Sequence, residues 1–219
     1  MTAAYTGDVT PGGPPAVREL PDLTITKLSV GPMDNNAYLL RCRTTGEQML
    51  IDAANEAGRL LELIGSAGLA TVVTTHRHRD HWGALVDVVR TTGARSLAHA
   101  ADAAEIPTVS ATVGDGDHVT VGDCALETVH IVGHTPGSIA LLYRDPGGVA
   151  HLFTGDSLFP GGVGNTRGDA AAFVSLIDDV EHKLFDRLPD DTWFYPGHGK
   201  DSTLGTERPA LPQWRARGW

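Results

Sequence analysis

The first quarter of the chain alternates short apolar runs with turn-forming residues. Residues 23–30, 37–42 and 48–51 are rich in β-branched and other apolar side chains, and glycine, proline, asparagine and aspartate separate them. Runs of about four to eight residues bounded in this way are typical of strands. The pattern predicts an antiparallel meander in this part of the chain.

Other segments have the three- and four-residue spacing of apolar side chains that is typical of an amphipathic helix. Residues 56–67 have this spacing, and Gly68 is placed to cap the end of that helix. Residues 170–184 have it as well, and Asp169 is a fitting N-cap. A shorter helix is expected over about residues 81–91. The sequence therefore predicts three helices among the strands.

Between the helices the chain returns to strand-like runs. We expect strands in these further segments: 69–74, 95–98, 118–121, 125–132, 138–143, 150–154 and 193–195. Residues 1–20 are dense in proline and glycine, so we interpret them as a flexible or draped tail and residues 21–219 as a single domain. The mixture indicates an α/β protein with two packed sheets covered by helices, although periodicity alone does not fix that topology.

Composition narrows the class of protein. The chain has 219 residues, of which 41% are hydrophobic, and this suits one globular domain. The net charge of −10 argues against a nucleic-acid partner, because an acidic surface repels phosphate. The sequence contains neither a membrane-spanning apolar run nor a signal-like N-terminus, so we expect a cytoplasmic protein with no membrane partner. Cys42 and Cys124 lie in apolar contexts and are predicted to be buried free thiols.

The densest potential chemistry follows the apolar run at residues 69–74. Three imidazoles and one carboxylate fall within six residues there, namely His76, His78, Asp80 and His81. Imidazole nitrogen and carboxylate oxygen suit zinc or iron and disfavour calcium or magnesium cages. A buried strand that ends in such a group predicts a metal site.

Single ligand-capable side chains follow three later strands. They are His134, Asp156 and His198, each beside glycines that allow the backbone to turn sharply. Asp52, directly after the run 48–51, is a further candidate. Because loops at one edge of a sheet converge although they are distant in sequence, we expect these residues to join the first group.

The order and spacing of these residues resemble the metallo-β-lactamase superfamily and, more narrowly, its glyoxalase II-like hydrolases: His76-x-His78-x-Asp80-His81, then His134, Asp156 and His198. The likeness covers about residues 23–207. It implies a four-layer αββα sandwich with the metal site at one edge of the two sheets, and it implies that Asp52 orients a ligand histidine. It also implies two divalent ions, zinc with iron or manganese as alternatives, held as follows: His76, His78 and His134 on the first, Asp80, His81 and His198 on the second, and Asp156 bridging both.

Such a site has a defined chemistry. Two divalent ions about 3.5–4 Å apart share a water and lower its pKa to near 7, which gives a hydroxide nucleophile. We assign catalysis to Asp156 as the bridge and to Asp80 as a ligand rather than a free general base. The resemblance implies a thioesterase whose partner is a small-molecule acyl-thioester, because a thiol of pKa about 8.5 leaves without strong acid assistance. The oligomeric state is not indicated by the sequence.

Two alternatives stay open. Persulfide dioxygenases share the motifs but hold one iron, here on His76, His134 and Asp156, and they continue the following loop differently from residues 165–168. A lactonase or β-lactam hydrolase would use the same hydroxide on a ring carbonyl. Residues 200–219 are expected to form an irregular docked tail, in place of the helical region of longer glutathione-thioester hydrolases. Because of this difference at the C-terminus, the resemblance does not imply glutathione as the thiol of the substrate.

Overall fold

A computed structural model describes residues 5–218, and its larger sheet has seven strands. In spatial order, which is also chain order, these are β1 (Ala16–Glu19), β2 (Leu23–Val30), β3 (Asn35–Cys42), β4 (Gln48–Ile51), β5 (Thr71–Val73), β6 (Arg95–His99) and β7 (Ala111–Val113). Strands β1 to β4 pair antiparallel, whereas β4 to β7 pair parallel. The predicted meander is confirmed, and parallel strands extend it.

The remaining strands form a second sheet and a small hairpin. Along the chain they are β8 (His118–Val121), β9 (Cys124–His130), β10 (Ile139–Arg144), β11 (Ala150–Gly155), β12 (Leu158–Phe159), β13 (Gly162–Val163), β14 (Trp193–Pro196) and β15 (Ser202–Thr203). The second sheet has the order β15-β14-β11-β10-β9-β8, and β12 pairs with β13 alone. Within this sheet β11 and β14 run parallel, and the other pairs are antiparallel.

Helices cover both outer faces of the sheets. They are α1 (Ala57–Ile64), α2 (Leu85–Thr92), α3 (Ala170–Asp179), α4 (Leu204–Glu207) and α5 (Leu211–Arg217). One apolar cluster lies between the sheets, a second joins the first sheet to α1 and α2, and a third joins the second sheet to α3 and α5. These three cores separate four layers. The expected αββα sandwich is therefore confirmed.

The helix ends follow local chemistry. The side chain of Asp169 accepts hydrogen bonds from the backbone N–H groups of Ala171 and Ala172, so the predicted N-cap of α3 is confirmed. Helix α3 continues into a π-helical turn, Val180–Phe185, which completes the predicted length. Helix α2 begins later than expected, because the 3₁₀ turn Arg79–His81 precedes it.

The interpretation of residues 1–20 as a tail without packed structure requires correction. Residues 1–4 lie outside the described part of the chain. Within the rest, Ala16–Glu19 forms the edge strand β1, and the ring of Tyr5 packs 5.9 Å from that of Trp193. The proline and glycine residues precede β1 and do not interrupt it. Pairing with β2 satisfies the backbone of β1, so the folded domain begins before residue 21.

The C-terminal segment is docked as expected, but it is not irregular. Trp214 in α5 is buried against Phe185, with ring centroids 6.3 Å apart. Pro209 and Pro212 stand in the first turns of helical segments, where a missing backbone N–H costs no hydrogen bond. Proline is therefore compatible with the helices here, and its presence wrongly suggested a coil.

Cys42 and Cys124 are buried free thiols, as predicted. Among residues 5–218 no helix is both long enough and apolar enough to cross a membrane.

Candidate metal centre

Strand ends bring the candidate ligands to one edge of the sandwich. His76 follows β5, Asp156 follows β11 directly, and His198 follows β14. Because β11 and β14 run parallel, their carboxyl ends meet, and the backbone N–H of Gly197 donates to the carbonyl of Gly155 across them. All seven predicted ligands converge at this edge.

Three histidines form the first cluster. Nδ1 of His78 lies 3.0 Å from Nε2 of His76 and 2.9 Å from Nε2 of His134. Each ring therefore turns one nitrogen toward a common point. His76 is buried, and the other two are partly exposed, so the point is reached from solvent.

Asp80, His81 and His198 form the second cluster. Nε2 of His198 lies 3.3 Å from Oδ2 of Asp80 and 3.2 Å from Nε2 of His81. The 3₁₀ turn Arg79–His81 allows adjacent residues 80 and 81 to reach the same point.

The carboxylate of Asp156 lies between the clusters. Its Oδ2 is 3.5 Å from Nε2 of both His134 and His198, which belong to different clusters. Its Oδ1 is buried and has no hydrogen-bond partner among the described residues, although Nε2 of His81 lies 3.3 Å away. A Cβ on Gly197 would overlap that same oxygen, so only glycine allows this close approach. Asp156 is therefore shared by the two clusters.

Burial lowers the pKa of the first-cluster histidines. It holds the pKa of His76 well below its usual range, helped by the nearby His81, and lowers the pKa of His78 to about 4, helped by His134. The pKa of His134 is lowered mainly for the same reason. These imidazoles therefore keep free lone pairs at neutral pH, as a metal ligand requires.

The second cluster has the opposite electrostatics. Burial would lower the pKa of His81, but Asp156 and Asp52 raise it well above its usual value. Burial likewise opposes protonation of His198, but hydrogen bonds with Asp156 and Asp80 raise its pKa to about 10. The pKa of Asp156 is held well below its usual range, because His81 and His198 outweigh burial. The carboxylates thus favour positive charge at this point.

The residues fit divalent metal ions. Imidazole nitrogens that face one another at hydrogen-bond distance, beside a buried carboxylate oxygen without a partner, are the arrangement of ligands around a cation. Nitrogen and oxygen donors in this ratio suit zinc, iron or manganese. The geometry therefore supports a metal site, while the ligand role of each residue stays a prediction.

Contacts outside the clusters orient the rings. Nδ1 of His81 donates to Oδ2 of Asp52 at 2.8 Å, so Asp52 fixes the orientation of the His81 ring as expected, while the ligand role of His81 stays a prediction. Nδ1 of His134 lies 2.9 Å from the carbonyl of Asn165, and Nδ1 of His198 lies 2.8 Å from that of Met33. Because each Nδ1 faces an acceptor outside the clusters, each Nε2 is turned toward the centre.

Two residues at the site were missed by the sequence interpretation. Nδ2 of Asn35 donates to Oδ2 of Asp80 at 2.9 Å and lies 3.4 Å from Nε2 of His198. A guanidinium nitrogen of Arg167 lies 3.1 Å from Nε2 of His78. Asn35 belongs to a run that reads as a turn, and Arg167 was considered only as a departure from a loop motif. For neither residue does the neighbouring sequence indicate a position at the site.

Other residues near the motifs act as braces. The Tyr38 hydroxyl and Nδ2 of Asn36 both donate to the carbonyl of Pro196, at 2.6 and 2.9 Å, beneath the loop that carries His198. Arg77 pairs with Glu105, away from the clusters.

A cavity of about 350 Å³ adjoins the centre. The loop between β12 and residue 168 lines it with Phe159, Val163 and Asn165, and Arg217 of α5 closes one side. The ring of Phe159 lies 6.3 Å from that of His198, so the cavity and the second cluster are neighbours.

A four-layer sandwich with this ligand group at one edge defines a class of metal-dependent hydrolases. Residues 30–198 match the family described as the metallo-beta-lactamase superfamily, and the chain belongs to that family. The family resemblance seen in the motifs is confirmed.

Individual relatives add detail. The chain is 36% identical over 168 residues to a hydroxyacylglutathione hydrolase of Polaromonas sp., covering 75% of this chain but only 62% of that protein. The structure of ETHE1 from Myxococcus xanthus superposes with a TM-score of 0.76 at 28% identity, covering 88% of this chain and 84% of the other. That of TTHA1623, solved in a di-iron-bound form, superposes with a TM-score of 0.67 at 30% identity, covering 83% and 96%. The chain is similar to each of these three proteins.

Proposed function

We propose that this protein is a glyoxalase II-like thioesterase that uses two divalent metal ions. The observation that carries the proposal is the position of Asp156 between two intact three-residue clusters. The 36% identity to a protein named hydroxyacylglutathione hydrolase supports the reaction class. Because the chain spans 62% of that relative, glutathione is not carried over as the thiol.

The residues have separate tasks in this reaction. His76, His78, His134, Asp80, His81, Asp156 and His198 would hold the divalent ions, which would supply a bound water of pKa near 7 and polarise the substrate carbonyl. Asp156 holds the two ligand clusters at a fixed separation. Asn35 keeps Asp80 oriented by donating to its Oδ2, so Asp80 acts as a ligand and not as a mobile base.

The substrate we propose is the acyl-thioester of a small thiol. A cavity of about 350 Å³ with Phe159 and Val163 on its wall accommodates a short chain with apolar parts. At the first cluster, the guanidinium of Arg167 contacts His78, and no acidic side chain of residues 5–218 forms an ion pair with it. Arg167 is therefore suited to receive a carboxylate of the substrate.

The alternative of a mononuclear iron dioxygenase needs only His76, His134 and Asp156. In that case Asp80, His81 and His198 would have no ligand role, yet their donor atoms converge equally well. A lactonase or β-lactam hydrolase would share the two-metal centre, and only substrate trials separate it from a thioesterase. We favour the thioesterase because the named relative cleaves a thioester of this class.

One paired measurement tests the proposal. Protein purified without chelator is assayed for metal content, and thiol release is followed with a panel of acyl-thioesters, lactones and β-lactams. Two equivalents of zinc, iron or manganese together with thiol release are expected. One iron with oxygen uptake on a persulfide would overturn the hydrolase. The Asp156→Ala variant is expected to lose one metal and nearly all turnover, and retained turnover would refute the bridge.

A further inference from the structure

A buried ion pair lies directly behind the second cluster. Nζ of Lys27 is 2.6 Å from Oδ1 of Asp201, and both side chains have 0% exposure. Lys27 occupies a core-facing position of β2, on the same face of the strand as Leu23 and Ile25. A lysine is almost never buried completely unless it is paired, so this position has a specific purpose.

Backbone carbonyls complete the surroundings of the ammonium group. Nζ of Lys27 donates to the carbonyl of Gly7 at 2.8 Å and to that of Gly199 at 2.7 Å. Asp201 also accepts from the Tyr5 hydroxyl at 2.8 Å and from Nε1 of Trp193 at 3.0 Å. The network therefore ties the N-terminal segment, residues 5–8, to the chain that follows β14.

Gly199 is the residue next to His198. Its carbonyl accepts from Lys27 and, at 2.9 Å, from Nδ2 of Asn36. On the other side of His198, the carbonyl of Gly197 accepts from the backbone N–H of Asn36 at 2.7 Å. The peptide group before His198 and the carbonyl of Gly199 after it are thus fixed, so a shift of Gly199 would move the loop that carries the His198 ring.

The N-terminal segment approaches this network so closely that a side chain is excluded. Gly7 has φ of 74°, and an added Cβ would overlap the carboxylate of Asp201. Lys27 and Asp201 lie outside the residues 30–198 that match the family.

We propose that residues 5–8, Lys27 and Asp201 position His198, and that the metal affinity of the second cluster depends on this network. The inference rests on the metal centre of the proposed function, and it makes Lys27 a positioning residue. The first cluster draws its ligands from other loops and does not depend on residues 5–8.

Gly7→Ala is the principal test variant, and Gly12→Ala is its matched control. Gly12 has nearly the same backbone conformation, φ of 77°, but an added Cβ there meets no other described atom within 4 Å. Calorimetric titration with Zn²⁺ is expected to show one unchanged site and one weakened by about 10- to 100-fold in Gly7→Ala. Gly12→Ala is expected to bind both ions as the wild type does.

A second readout needs no metal. The imidazole resonances of His198, assigned by their loss in His198→Ala, are expected to shift in metal-free Gly7→Ala and to stay in place in Gly12→Ala. Equal weakening of both sites, or unshifted His198 resonances in Gly7→Ala, would overturn the proposal. If the wild type binds two ions but releases no thiol, the thioesterase fails while the positioning role is still decided by these measurements.

Discussion

Nδ1 of His81 lies 2.8 Å from Oδ2 of Asp52, and both side chains are almost fully buried, at 0% and 2% exposure. The same carboxylate accepts from the backbone N–H and the hydroxyl of Thr75, each at 2.8 Å. Asp52 therefore links the end of β4 to the start of the ligand loop. It also keeps a proton on the outer nitrogen of His81, so that the inner nitrogen faces the centre.

Asp52→Asn removes this acceptor while it keeps the shape of the side chain. Asp52 has φ of 58°, a conformation that asparagine tolerates, so the backbone is not strained. The new amide N–H group would face the hydroxyl of Thr75 and Nδ1 of His81, and it could not accept hydrogen bonds from them. We expect the metal affinity to fall by about 10- to 100-fold, measured by competition with a chromophoric chelator.

The matched variant for this prediction is Asp87→Asn, because Asp87 is exposed and pairs with Arg90 in α2. It is expected to bind metal as the wild type does. Wild-type metal affinity in Asp52→Asn would show that the ring of His81 does not need this acceptor.

Gly197→Ala tests the close approach at the bridge. The added Cβ would overlap Oδ1 of Asp156 and lie 2.7 Å from Cε1 of His81, so at least one ligand must move. A displacement of about 1 Å at such a centre lowers turnover by about 100-fold, and we expect a loss of that size in kcat. Gly58→Ala in α1 meets no other described atom within 4 Å and serves as the control. Equal kcat in the two variants would contradict the geometry of the bridge.

Much of this architecture was predictable from the sequence because its signals are local. Strand runs, the Asp169 cap and the clustered ligands each depend on residues close together in the chain. The distant candidate ligands His134, Asp156 and His198 each follow a strand-like run beside glycine, and their order and spacing also resemble the family's motifs. Strand ends on one edge of a sheet meet whatever their separation in sequence, so the prediction succeeded.

The remaining features depend on long-range partners. Strand β1 has a half-exposed pattern and owes its existence to pairing with β2. Lys27 reads as an interruption of an apolar face, since its partner Asp201 is 174 residues away. Nothing in the sequence around Arg167 indicates that it lies close to His78. In each case the sequence contains one half of an interaction and gives no sign of the other.

Arg167→Ala tests the site for an anionic substrate group. Arg167 is held with φ of 56° by a hydrogen bond from its backbone N–H to Oδ1 of Asn165, at 2.7 Å. A charge-assisted hydrogen bond contributes about 1.5–3 kcal/mol, so its loss is expected to raise KM for carboxylate-bearing thioesters by roughly 10- to 150-fold. For neutral thioesters we expect little change in KM, and kcat should stay similar for both.

Arg90→Ala is the control for this prediction, because Arg90 is exposed on α2 and remote from the cavity. If Arg167→Ala lowers kcat equally for charged and neutral thioesters, Arg167 acts on the ligand His78 and does not select the substrate.

His151 gives a pH dependence of stability that is independent of the metal centre. It is 1% exposed, and its Nδ1 lies 3.0 Å from the hydroxyl of Tyr195, which also accepts from Arg18. Burial, with a smaller contribution from Arg18, lowers the pKa of His151 from 6.5 to about 4. The unfolded chain thus binds a proton between these pH values that the folded protein does not.

The sign follows from proton binding. This contribution to stability is fully present above pH 6.5 and is lost as the pH falls toward 4, because protons favour the unfolded chain over that window. A pKa difference of this size corresponds to about 3 kcal/mol in the free energy of unfolding. His151→Phe, which keeps a ring but does not titrate, is expected to flatten the fall measured by urea unfolding at pH 7 and pH 4.5. His182→Phe, at an exposed position, is expected to keep the wild-type slope, and an unchanged slope in His151→Phe would show that His151 does not bind its proton as a buried group.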